Sequence, residues 1–238
     1  MPGVFKGRAN IHVHKLPMPY VGAILTDSLL AFPPGRLEET AMVVLKAVYR
    51  ETGLSFLLVV KPGARIGDGG AGSYADMLLF LNRYLQATNK RSIAQSSLQY
   101  LLLVSGGNDI YSYIWSGWYQ SGSSLATTLA GAKALARSMR DFSFGDAPVQ
   151  RAACIFGGSS TLWRYRAWAA VEDCDRYDQD VAQVVTAMKE YLTVGDGVEE
   201  LTGVEIVDRI GHVSPQALQQ MAQAVVKWVS MLKPRAKM

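Results

Sequence analysis

Residues 22–29 read Gly-Ala-Ile-Leu-Thr-Asp-Ser-Leu, in which a short apolar run is followed at once by an acid and a serine. Uninterrupted apolar runs of this length are typical of parallel strands that are covered on both faces of a sheet. Further runs of this kind, the last of them weak, lie at residues 56–60, 100–104, 152–156 and 204–207. The sequence therefore predicts a sheet of about five parallel strands, the first of them over Gly22–Leu25.

Segments with helical spacing of apolar residues separate these runs. The clearest predicted helix has Ser214 as its N-cap and Pro215 in its first turn, and it continues until Pro234 stops it. Two further helices are predicted from apolar stripes at residues 37–48, with Gly53 as C-terminal cap, and at 74–85. Another lies within 125–140, and one runs near 181–192 after an Asp-rich stretch at 173–180. The alternation predicts a three-layer α/β/α domain with a flavodoxin-like doubly wound sheet and helices on both faces.

Length and composition favour one globular domain. The chain has 238 residues, of which 49% are hydrophobic and 18% charged, and this balance supports a sizeable core. We interpret residues 1–238 as a single domain in which 1–20 form an N-terminal extension and 233–238 a basic tail. Basic residues are otherwise scattered at a net charge of +4, so we expect no nucleic-acid partner. The sequence does not determine the oligomeric state.

The cysteine content and the hydropathy of the sequence indicate the cellular compartment. Cys154 and Cys174 are too few for a disulfide framework and have no metal-site spacing. Residues 1–21 have no continuous apolar segment of the kind found in secretory signals, and no apolar stretch approaches the length of a membrane span. We therefore expect a cytoplasmic protein without a transmembrane segment.

His12 and His14 place two imidazoles on one face of a predicted strand. Such a pair is compatible either with a polar edge strand or with a metal site, but no third ligand is evident nearby. We therefore expect neither a metal nor another cofactor.

Candidate catalytic residues follow the predicted strands, at the edge where ligands bind in doubly wound folds. Ser28 comes after the first strand, Gly63 after the second and Asn108 after the third. The serine is a candidate nucleophile, although a helix cap or a turn would also suit it, and the glycine N–H and asparagine amide are candidate oxyanion donors. His212, before the last helix, is a candidate base, and Asp208 is its nearest carboxylate in sequence.

Together these segments resemble the four sequence blocks of the SGNH hydrolases, also called GDSL lipases and esterases. The blocks occur in the family's order, as Thr26-Asp27-Ser28-Leu29, Pro62-Gly63-Ala64, Gly106-Gly107-Asn108-Asp109 and, in the last block, His212. There are two departures: Thr26 replaces the family's leading glycine, and Arg209 stands three residues before His212, where the family usually has Asp.

The resemblance implies a serine-dependent esterase or acyl hydrolase that acts on carboxylic esters in acyl lipids, thioesters or acetylated sugars. Ser28 would attack, His212 would accept its proton, and the N–H groups of Ser28 and Gly63 with the Asn108 amide would hold the oxyanion. Asp208 would either orient His212 or leave it in a serine–histidine dyad. The alternatives are a catalytically inactive SGNH-like domain that binds a ligand or a protein, and an acyltransferase that uses the same site.

Aromatic residues are dense in the segment that follows Asn108. Tyr111 and Trp115 either line an acyl or sugar pocket or pack beneath the loop or at a subunit contact. With Asp27, which precedes the candidate nucleophile, they are the predicted substrate-binding residues. The expected partner is a small-molecule ester.

Overall fold

The computed structural model describes residues 10–27, 37–67, 72–88, 98–105, 107–114, 124–144, 147–148, 151–156, 170–194 and 215–232. The strands in these ranges are β1 His12–Lys15, β2 Gly22–Thr26, β3 Phe56–Val60, β4 Tyr100–Ser105, β5 Ser143–Phe144, β6 Ala147–Pro148, β7 Arg151–Phe156 and β8 Thr193–Val194. The helices are α1 Leu37–Thr52, α2 Tyr74–Ala87, α3 Asn108–Ile114, α4 Leu125–Arg140, α5 Val171–Lys189 and α6 Pro215–Leu232.

Six of the described strands form one sheet in the order β1-β3-β2-β4-β7-β8. Strand β2 pairs in parallel with β3 and β4, so that Thr26 lies opposite Val60 on one side and Val104 on the other. Strand β7 pairs in parallel with β4, and the short β8 with β7, whereas β1 is antiparallel to β3. Parallel pairs connected through helices confirm the predicted α/β fold.

The core lies around the three central strands. Every residue of β2, β3 and β4 is buried, which explains why their sequences are uninterrupted apolar runs. Helix α1 packs against α6, and α4 packs against α5. Because burial of one Leu or Val side chain contributes about 1.5–3 kcal/mol, this core is the main source of stability.

Several predicted boundaries are confirmed. Helix α1 ends at Thr52 and is followed by the predicted cap, Gly53, whose φ of 69° is left-handed and whose N–H donates to the Tyr49 carbonyl over 2.8 Å. Helix α2 begins after Ser73, whose hydroxyl accepts from the Asp76 N–H over 3.2 Å. Helix α6 begins at the predicted Pro215. Its predicted cap, Ser214, and the predicted strand 204–207 lie outside the described residues.

The prediction that a helix begins only after the Asp-rich stretch is wrong, because α5 already starts at Val171. Glu172 and Asp173 occupy its first turn, where the helix dipole favours negative charge. Cys174 and Tyr177 are buried on the same face, at the spacing of a helical stripe. The acidic composition concealed this helical periodicity.

The segment interpreted as an N-terminal extension contributes a strand to the sheet. Strand β1 lies at the sheet edge, which agrees with the edge-strand alternative for its two histidines, and Ile11, Leu16 and Tyr20 around it are buried in the core. Within the described ranges, no three metal-ligating side chains lie together. None of the helices described above is long and apolar enough to cross a membrane.

Candidate active site at the carboxyl ends of the central strands

The direction in which strands are added to the sheet reverses at β2. The next two strands of the sheet along the chain, β3 and β4, lie on opposite sides of it. In open α/β sheets, ligands bind beyond the carboxyl ends of the strands at such a switch point. Asp27 follows β2 directly, and Asn108 begins α3 just after β4. The topology therefore locates the candidate site where these two residues meet.

Asn108 joins the three segments that follow β2, β3 and β4. Its Nδ2 donates to Asp27 Oδ2 over 3.1 Å and to the Ala64 carbonyl over 3.0 Å. Both partners are acceptors, so the amide nitrogen and not the oxygen must face them. Residues separated by 81 and 44 positions in the chain are thus held together by a single side chain.

Asp109 makes a second connection between α3 and the loop after β3. Its Oδ2 accepts from the Ile66 N–H and its Oδ1 from the Gly67 N–H, both over 2.7 Å. Only 1% of Asp109 is exposed, and a carboxylate buried to this extent requires such donors to offset its desolvation. The two neighbouring side chains therefore bind one loop through groups of opposite polarity.

A tight turn places Gly63 beside the end of β2. The Ala64 N–H donates to the Lys61 carbonyl over 3.0 Å, and Gly63, at the third position of the turn, has a φ of 72°. Pro62 at the second position and a glycine with positive φ at the third match a type II turn. The Lys61 N–H donates to the Thr26 carbonyl over 3.0 Å, which ties the turn to β2.

Three residues predicted for the site, Asp27, Gly63 and Asn108, lie at the carboxyl edge of the sheet. Asp27 is only 1% exposed, and Asn108 starts a helix and does not lie within a loop as the sequence suggested. Thr26, which departs from the glycine of the SGNH block that this segment resembles, is fully buried, and its hydroxyl has no hydrogen-bond partner among the described residues. The predicted site residues that lie outside the described part of the chain are Ser28, Trp115, Asp208, His212 and the side chain of Tyr111.

Sequence reasoning gave no role to Ala64 or to Asp109. Ala64 contributes its carbonyl, a group that every residue carries, so its identity holds no signal. Asp109 could be noticed only as part of the Gly-Gly-Asn-Asp block, because its partners are backbone N–H groups 42 and 43 residues away.

No protein-family model matches this sequence, and no curated protein matches it. One crystal structure aligns with 89% of this chain and 99% of its own, with a TM-score of 0.56 and 15% identity, and it shows a shared fold alone. The siderophore hydrolase EstB from Aspergillus nidulans aligns with a TM-score of 0.45 and 11% identity over 96% of this chain and 90% of its own. A lipase/esterase from Lactobacillus plantarum aligns with a TM-score of 0.31 and 9% identity over 92% of this chain and 85% of its own. The last two TM-scores are too low to carry an argument about this chain.

Proposed function

We propose that this chain is a serine-dependent ester hydrolase of the SGNH type. The observation that carries the proposal is the pair of bonds from Asn108 to Asp27 and to the Ala64 carbonyl. Ser28 follows Asp27 in the chain and Gly63 precedes Ala64. Because adjacent Cα atoms are about 3.8 Å apart, a nucleophile one residue after Asp27 is compatible with this arrangement of Asn108 and the loop that carries Gly63, and this supports the proposal.

In the proposed reaction, the Ser28 hydroxyl attacks the ester carbonyl and transfers its proton to His212. The N–H groups of Ser28 and Gly63 and the amide of Asn108 stabilise the resulting oxyanion. The protonated His212 then gives its proton to the departing alcohol. Water then attacks the acyl group on Ser28 by the same steps and releases it as the carboxylic acid. His212 returns to its neutral form and Ser28 to a free hydroxyl.

Asn108 enters this reaction with both hydrogens of its amide nitrogen already donated. An ionised Asp27 would hold its hydrogen more strongly than the neutral Ala64 carbonyl does, since hydrogen bonds to ionised acceptors exceed those to neutral ones. We therefore propose that the hydrogen directed at the Ala64 carbonyl is shared with the oxyanion as charge develops. Asp27 then serves to orient Asn108, and this role fits its burial better than contact with substrate does.

Asp208 is the proposed orienting acid for His212. A carboxylate bonded to the imidazole fixes its tautomer and stabilises the imidazolium that forms during attack. We expect Asp208→Asn to lower kcat substantially and Glu205→Gln, a control in the same segment, to leave it unchanged. A wild-type dependence of kcat on pH in Asp208→Asn would replace the triad with a serine–histidine dyad.

The proposal includes a three-layer, flavodoxin-like architecture. Numbered by their order in the chain, β2, β3, β4, β7 and β8 lie in the order 2-1-3-4-5, which is the flavodoxin-like order. Two separate helix contacts, α1 with α6 and α4 with α5, support one helical layer on each face of the sheet.

The decisive experiment combines turnover with active-site labelling. We expect the wild type to hydrolyse p-nitrophenyl acetate and to react with a fluorophosphonate probe, and Ser28→Ala to lose both while it stays folded by circular dichroism. Ser230→Ala, a change at an exposed serine of α6, is the matched control and should keep both. A wild type that neither hydrolyses activated esters nor reacts with the probe, or a Ser28→Ala variant that does both, would refute the proposal.

A further inference from the structure

We infer that Asp109 is a positioning residue for the proposed reaction, which it serves by holding the loop after β3 that carries Gly63 and Ala64. The inference rests on the proposed function, since it concerns the geometry of the proposed oxyanion site. The role is distinct from that of Asn108, because Asp109 is proposed to act through the backbone of the loop and not by contact with the oxyanion.

The loop both accepts hydrogen bonds from the first turn of α3 and donates hydrogen bonds to it. Asn108 donates to the Ala64 carbonyl over 3.0 Å, whereas Asp109 accepts from the N–H groups of Ile66 and Gly67 over 2.7 Å each. The loop segment of residues 64–67 cannot rotate or slide without breaking at least one of these bonds. Since both side chains belong to the first turn of α3, the three bonds tie the loop to that helix.

Helix α4 closes the other side of the same loop. A Cβ added at Gly131 would lie 2.5 Å from the Ile66 carbonyl oxygen and 2.7 Å from the Gly67 Cα. A Cβ at Gly67 would lie 3.2 Å from the Thr128 Cα. Backbone therefore packs against backbone here, so the position of the loop depends on its contact with α4 as well as on its bonds to Asp109.

This confinement matters because oxyanion stabilisation depends steeply on distance. Donors must lie about 2.7–3.1 Å from the developing charge, and a misplacement of about 1 Å can cost roughly a hundredfold in rate. In Asp109→Asn, the amide keeps one accepting oxygen and turns its NH2 toward a second backbone donor. The N–H of either Ile66 or Gly67 is then left without its bond, and the loop shifts.

The test measures kcat and KM of Asp109→Asn across pH on p-nitrophenyl acetate. We expect kcat to fall roughly 10- to 100-fold, KM to stay within about twofold, and the shape of the pH profile to be that of the wild type, because His212 is not on this loop. Hydrogen exchange of the Ile66 and Gly67 amides should accelerate. Asp180→Asn, which changes a buried carboxylate in α5, is the matched control and should leave kcat and the exchange of both amides unchanged.

Gly131→Ala provides a second variant that disturbs the same loop while Asp109 stays intact. It should lower kcat in the same way, and it decides the question if Asp109→Asn does not fold. If turnover depends on Ser28 and both variants keep the wild-type kcat, or if Asp180→Asn loses as much kcat as Asp109→Asn, the positioning role is refuted and the proposed function stands. If turnover does not depend on Ser28, the proposed function fails and the positioning role fails with it.

Discussion

The two ends of β2 are built differently. At the amino end, a Cβ on Gly22 would lie 2.5 Å from the Phe56 ring and 2.7 Å from the Tyr100 carbonyl oxygen. The ring centroids of Phe56 and Tyr100 lie 6.0 Å apart. At the carboxyl end, the buried Asp27 carboxylate accepts from the Asn108 amide. One end of the strand is closed by close packing and the other by directed hydrogen bonds.

The difference separates stability from chemistry within one strand. Packing fixes how closely groups approach one another but gives a donor no direction, whereas a buried hydrogen bond fixes direction at the cost of desolvating its partners. Changes at the carboxyl end should therefore alter turnover first. Changes at the amino end should alter stability and leave the turnover of the folded protein intact.

The largest expected effect is at the carboxyl end. Asn108→Ala should lower kcat by roughly one hundred- to one thousandfold with little change in KM, because one oxyanion donor is lost. It also removes a donor from the buried Asp27, and this should cost about 1–3 kcal/mol of unfolding free energy. Steady-state kinetics and urea denaturation measure the two effects.

Asn82→Ala on α2 is the control for Asn108→Ala, since it removes an amide remote from the switch point. Its kcat should match the wild type. An Asn108→Ala variant with the wild-type kcat would show that Asn108 is not an oxyanion donor. It would also contradict the proposed difference between the two ends of β2.

A smaller effect is expected at the amino end. Gly22→Ala should lower the unfolding free energy by about 1–3 kcal/mol, since the added methyl group forces the Phe56 ring and the β4 backbone apart. The kcat of the folded protein should not change. Urea denaturation with kinetics below the transition checks both statements, and an unchanged midpoint, or a kcat that falls with stability, would contradict the separation.

The smallest effect concerns β1 at the sheet edge, where a buried polar atom has no directed bond within the described part of the chain. His14 Nε2 is buried without a hydrogen-bond partner among the described residues. Burial lowers the pKa of His14, the nearby His12 lowers it further, and Glu38 raises it in part. Below about pH 6.5 the unfolded chain therefore binds more protons than the folded one, and stability falls as the pH falls.

His14→Gln should reduce this loss of stability, measured as the urea midpoint at pH 8, 6.5 and 5. His12→Gln should reduce it by a smaller amount, because the charge on His12 disfavours protonation of His14. If both variants keep the full pH dependence of the wild type, the dependence arises elsewhere in the molecule.

Sequence patterns succeeded where the physical cause is local. Strand β3 was predicted at its observed bounds because a strand covered on both faces needs an uninterrupted apolar run, and α4 was predicted over its observed residues because its periodicity is local too. The start of α5 was missed because its acidic residues resemble a loop in composition, whereas in the fold Glu172 and Asp173 occupy the first turn of a helix and Asp180 is buried on its inner face.

The same distinction between local and long-range causes applies to the candidate site. The order of strands and polar loops was enough to place Asp27, Gly63 and Asn108 at one edge of the sheet, because parallel strands all end on the same side. It was not enough to predict what each side chain contacts. The bonds of Asp109 are contacts of this kind, because any residue's N–H could serve as donor and only the approach of α3 to the distant loop after β3 selects Ile66 and Gly67.

The sequence by itself determined the class of fold and the candidate chemistry, since both follow from local periodicity and from residue type at the ends of strands. Only the tertiary structure decided that Asn108 uses both of its amide hydrogens, that Asp27 is buried as its partner, and that Asp109 holds the loop against α4. Periodicity is a property of neighbours in the chain. Hydrogen-bond partners 42 to 81 residues apart are chosen by packing, which brings segments together in a way that no local pattern encodes.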